Sequence, residues 1–110
     1  MPTGRLGTAN ITTTSNTTIY GPVAASTFAV VTVSVANRSS SAAASVRIAL
    51  AGSSTPGPAE WLEYDSSLVA NGVIEGTGIV MDAGQLLVVL ISSATPTVSV
   101  VAMGIETSTA

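Results

Sequence analysis

A chain of 110 residues suits one domain with a real core, not two. Only 8% of its residues are charged, where soluble domains carry about a quarter, and three Arg against six carboxylates leave a net charge of −3. Nothing in that balance could neutralise a run of phosphates, which excludes a strong nucleic-acid binder. Without Cys there are neither disulfides nor thiolate metal ligands.

Residues 1–19 are rich in Thr, Ser, Asn and Gly and lack the apolar stretch of a secretory signal. Thr8 to Thr14 has strand propensity, but its polarity suggests an edge or an extended arm lying on a neighbouring subunit. Its large apolar side chains are few (Met1, Leu6, Ile11 and Ile19), so 1–19 is expected to be an arm and 20–110 the folded domain. Tyr20-Gly21-Pro22 closes the arm, because proline cannot donate to a ladder.

Phe28 to Ala51, FAVVTVSVANRSSSAAASVRIALA, follows. Val31, Val33 and Val35 alternate with Val30, Thr32 and Ser34, and Val46, Ile48 and Leu50 alternate with Ser45, Arg47 and Ala49 further on. That period of two predicts strands covering a core, joined through the polar Asn37–Ser41 stretch as a central hairpin. Gly52 to Pro58 is a loop by composition. Trp61 to Asp65 is a short strand with Trp61, Glu63 and Asp65 on one face. Asn71-Gly72 turns the chain into a strand from Val73 to Val80, interrupted by Gly76 and Gly78. Leu86 to Ile91, LLVVLI, is apolar on both faces, so Leu90 is expected in the core. It is too short to cross a membrane as a helix. Thr95-Pro96 is a turn, and Val98 to Ile105 the last strand. The sum is an all-β antiparallel sandwich, jelly-roll-like, with seven to eight short strands.

The chemistry is sparse. Nucleophilic catalysis needs a base beside the nucleophile, usually His or Lys, and the chain has neither among its thirty Ser and Thr. The expectation is a protein without catalytic, cofactor or metal residues. Glu60, Glu63 and Asp65 form the one close group of carboxylates, readable as a calcium site or glycosidase pair but more simply as a solvated rim. Trp61 and Tyr64 fit either a sugar-stacking platform or an interface anchor. Glu63 stands beside them, and Arg38 and Arg47 could each pair a carboxylate of a neighbour. Asn10, Asn16 and Asn37 open Asn-x-Ser/Thr triplets, which arise by chance in so hydroxyl-rich a chain. Nine charges and no Lys are few for guarding the open edges of a monomeric sandwich, which points to permanent assembly.

The succession Tyr20-x-Pro22, FAVVTVSVANR, SVRIAL, EWLEYD, ANGVIEGTGIVMDAGQLLVV and VSVVAMGIE resembles small virion proteins of tailed bacteriophages. Asn37-Arg38, Gly78-Ile79, Gly84-Gln85 and Gly104-Ile105-Glu106 carry the likeness over residues 20 to 106, while the Tyr-to-Pro spacing is one residue shorter than in those proteins. The resemblance implies a non-enzymatic particle component assembled in the host cytoplasm, with the virion as its location. Within that class a capsid decoration (cement) protein is expected, a homo-oligomer with a trimer favoured, bound to the major capsid protein or other virion proteins. The alternative is a neck, tail or baseplate attachment module, or a carbohydrate receptor-binding one. No nucleic acid, membrane or cofactor is implied.

Overall fold

A computed structural model describes residues 3–109, so Met1 and Pro2 of the expected arm lie outside the described residues. Eight strands run in order: β1 Thr3–Ile11, β2 Thr17–Tyr20, β3 Thr27–Asn37, β4 Ala44–Ala51, β5 Trp61–Leu68, β6 Val73–Met81, β7 Leu86–Ser92 and β8 Val98–Ser108. They form two four-stranded antiparallel sheets, sheet A in the order β1-β8-β3-β6 and sheet B in the order β2-β7-β4-β5. First pairs with last, second with seventh, third with sixth and fourth with fifth, which is the strand order of a jelly roll.

The core lies between the sheets. Val31, Val33 and Val35 of β3 and Val98, Val100 and Ala102 of β8 meet Val46 and Ile48 of β4 and Leu87, Val89 and Ile91 of β7. Alternation along each strand sends these residues inward, and a sheet face of β-branched side chains gains stability only when another sheet covers it.

That requirement corrects the expected central hairpin. β3 and β4 do not pair with each other; they lie in opposite sheets, stacked so that each buries the other's apolar face. The polar stretch between them is an arch, and Asn37 organises it. Asn37 is buried. Its side-chain amide donates to the carbonyls of Ala42 at 2.9 Å and of Leu68 and Val69 at 3.3 Å, while Oδ1 accepts from the Ser39 amide at 3.1 Å. Its backbone N–H donates to the Gly72 carbonyl at 2.9 Å. One side chain thus ties the end of sheet A to the end of β5 in sheet B.

The amino-terminal segment is also corrected. β1 pairs along β8 and β2 along β7 of the same chain, and Ile11 and Ile19 enter the core. Gly7 makes the crossing possible, since a Cβ there would stand 2.1 Å from the Ile19 carbonyl oxygen. The strand begins and ends earlier than Thr8–Thr14 suggested, because 12–16 is the bend that carries the chain from one sheet to the other.

Leu90 is the third correction. Leu87, Val89 and Ile91 point inward, whereas Leu90 is only half buried on the outer face of sheet B, paired across from Arg47. β7 is covered on its outer side too, but at Val88, which Ala49, Ala51, Trp61 and Leu86 enclose.

Three outcomes follow from this packing. Val89→Asp places a carboxylate without a partner in the core and is expected to cost about 4 kcal/mol or more, leaving no cooperative melt by circular dichroism. Leu90→Asp meets Arg47 at the surface and is expected to fold with only a modest drop in melting temperature. Deleting residues 1–16 uncovers the edge of β8 and removes Ile11, so the truncated chain is expected to aggregate. A truncated protein that stays soluble with wild-type melting would contradict the pairing of β1.

Candidate functional site

Chemically varied side chains converge on the outer face of sheet B, around β4, β5 and the loop between them. The loop is held by Glu60, whose carboxylate accepts from the amides of Gly57 at 2.7 Å and Gly52 at 2.9 Å. Those two backbone donors hold its carboxyl below the usual glutamate range. The Glu60 carbonyl accepts from Leu50 N–H at 2.9 Å, which seats the loop against β4.

β5 then departs from simple alternation. Val46 faces Ser66, Ile48 faces Glu63 and Ala49 faces Trp61, so the register slips on both sides of Ile48. Asp65 takes a left-handed backbone conformation, φ 55°, which aspartate tolerates better than most residues. Such bulges re-aim side chains. The expectation that Trp61, Glu63 and Asp65 share a face does not survive them. Glu63 turns to the mouth between β5 and β6, where it accepts from Ser66 Oγ at 2.8 Å. Tyr64 and Asp65 turn to Arg47 on the outer face.

The resulting cluster is compact. Trp61 lies on Ala49, Ala51 and Val88, and its ring meets Tyr64 edge to face, with centroids 5.6 Å apart at 72°. The Arg47 guanidinium carbon stands 3.9 Å from the centre of the Tyr64 ring and 5.9 Å from that of Trp61. Arg47 Nε and Nη2 donate to Asp65 Oδ1 and Oδ2 at 2.7 and 3.1 Å. This fork raises the Arg47 pKa and, with the charge of Arg47 adding to it, lowers that of Asp65. Two clefts flank the cluster. One, of about 430 Å³, lies among Pro56, Pro58, Trp61 and Tyr64. The other, of about 490 Å³, has Arg47 and Asp65 in its wall with Thr14, Ser45, Leu90 and Ser92.

Of the residues singled out from the sequence, the fold therefore unites Trp61, Tyr64 and Arg47. Glu63 sits elsewhere, and Arg38, just beyond β3, donates to Asn10 Oδ1 of β1 at an exposed position. Asp65, which alternation had placed on the Trp61 face, joins the cluster, and so do Pro56 and Pro58, whose sequence signal was only that of a loop. The three neighbouring carboxylates Glu60, Glu63 and Asp65 serve three separate sets of partners, and no group of three or more potential metal ligands occurs among the described residues. Elsewhere, the Tyr20 hydroxyl donates to Glu106; burial first, then that bond and charge, push its phenol pKa up.

Comparison with family models, with curated proteins and with solved structures found no match.

The ion pair makes a titration prediction. A depressed folded-state pKa means that the pair's stabilisation is present above the ordinary aspartate range and is lost as pH falls through the folded value. Carboxyl NMR is expected to place the Asp65 midpoint below that of free aspartate, and Arg47→Gln to move it upward. An Asp65 midpoint indifferent to Arg47→Gln would remove the pair as the cause.

Proposed function

We propose that this chain is a non-catalytic structural protein of a bacteriophage particle, a decoration (cement) protein seated on the assembled shell as an oligomer. The observation that carries the reading is the outer face of sheet A. Val30 pairs with Val80 on one side and with Ile105 on the other, and the three are 41%, 62% and 55% exposed. They form an aliphatic row across three strands, continued by the partly exposed Met103 and Val101 of β8. Arg5 on β1 and Glu75 on β6 stand exposed at opposite margins of the sheet. An apolar centre with charge at its rim is how protein interfaces are built, and a lone monomer rarely leaves such a strip uncovered.

The edges support association through faces. Each pairing that involves an edge strand, β1 with β8, β2 with β7, β6 with β3 and β5 with β4, contains a register shift, whereas the inner pairings β3–β8 and β4–β7 run without one. Bulges blunt an edge against strand addition, so this chain protects its edges by irregular backbone in place of lysines. The jelly-roll order serves capsid and lectin domains alike; it permits the role without selecting it. The chain also lacks the His or Lys that would activate its hydroxyls.

Light scattering on the purified protein is expected to give an oligomer at micromolar concentration, the trimer being favoured. Val30→Glu combined with Ile105→Glu is expected to give a folded monomer with wild-type melting that no longer binds expanded phage shells. A wild-type chain that stays monomeric and has no affinity for such shells would overturn the proposal.

A further inference from the structure

We infer that the outer face of sheet B carries a binding site for a neutral oligosaccharide, centred on Trp61, Tyr64, Arg47 and Asp65. The site is on the opposite sheet from the proposed assembly face, so it stands or falls independently of that reading. Its two clefts, about 430 and 490 Å³, fall within the range of about 300–1,000 Å³ typical of small-molecule sites. They differ in chemistry and adjoin each other at the Arg47–Tyr64–Asp65 cluster.

The first cleft is aromatic and apolar. Trp61 and Tyr64 face it between Pro56 and Pro58, and Tyr64 is 57% exposed. The C–H face of a pyranose ring is weakly positive and meets the negative face of an aromatic ring, so such a cleft takes the flat side of one sugar unit. The second cleft is lined by hydroxyls and by the ion pair. Arg47 spends Nε and Nη2 on Asp65, which leaves Nη1 outside the fork as a donor. A carboxylate offers more acceptor sites than a two-pronged fork uses, and it stays ionised because Arg47 depresses its pKa. Ser45, Ser92 and Thr14 supply groups that both donate and accept. A vicinal diol needs that mixture.

Charge decides which class of sugar fits. Arg47 and Asp65 are the charged residues of the two clefts, and they cancel. An anionic glycan would face no uncompensated cation, so a neutral chain is the fitting ligand. The left-handed Asp65 and the paired register slips support the assignment, since an edge strand could have kept simple alternation; the irregular backbone is what brings Tyr64 and Asp65 together at Arg47.

The single Trp reports directly on this site. Maltohexaose, xylohexaose and the hexamer of N-acetylglucosamine would be titrated into the full chain while Trp61 fluorescence is followed, with a heparin hexasaccharide as the anionic probe. At least one neutral hexamer is expected to saturate the signal below about 10 mM, and more tightly than its monosaccharide. Tyr64→Ala and Asp65→Asn, both at exposed positions, are each expected to weaken that binding about tenfold or more with the fold retained by circular dichroism, while Arg38→Ala leaves it intact. Flat titrations with all three neutral hexamers, binding of the heparin fragment alone, or binding that survives both substitutions would overturn the inference.

Discussion

Burying the amide of Asn37 is the constraint on which the architecture turns. A sandwich of two valine-rich sheets has a strong drive to close but little to tell one closure from another, because apolar contacts are non-directional. Asn37 supplies direction. With the residue 4% exposed, each polar atom of its side chain must find a partner, since an unsatisfied buried group costs about 1–3 kcal/mol. Its partners lie in the arch and at the end of β5. The arrangement that sends β3 and β4 into opposite sheets, with the arch folded back on the β5–β6 turn, satisfies them together. Arg38 and Asn71 add backbone bonds to Thr97 and Ser39, which join three loops at one end of the sandwich.

Two chemically different outer faces follow from that closure. Both outer faces remain free, and they differ. Sheet A is flat in chemistry, with aliphatic and small hydroxyl residues and charge at its margins. Sheet B is partly covered by its own loop and by Trp61, and it concentrates two of the three aromatic rings of Trp and Tyr beside an Arg–Asp pair. A face of the first kind suits broad contact with protein. The second, with directional groups in clefts, suits a small polar ligand. The bulged edges keep strand addition from competing with either.

The same irregular backbone that blunts the β5 edge also builds the cluster. In a regular strand, Tyr64 and Asp65 would project to opposite faces. Asp65 at positive φ adds the residue that lets both approach Arg47. Trp61 contributes on two levels, sealing Val88 beneath it and forming the cleft wall above. Tyr64 has a smaller part in the packing.

Much of the strand content was legible in the sequence, because burial of one sheet face imposes alternation that survives in the residues themselves. Val31-Val33-Val35, Val46-Ile48 and the turn at Asn71-Gly72 locate their elements directly. Trp61, Tyr64 and Arg47 could be singled out by residue type alone. Alternation records only which side of a strand is covered. It carries no information about which strand lies beside it, so β3 and β4 looked like a hairpin and β1 like an arm until partners across the sandwich were known. Nor could LLVVLI reveal that Val89 faces the core while Leu90 faces Arg47, since both are aliphatic and the difference is one of phase. Where a bulge breaks the period, as at Tyr64 and Asp65, local pattern misleads outright. The grouping of the site was therefore decided by tertiary pairing, which sets register, and register decides which side chains meet.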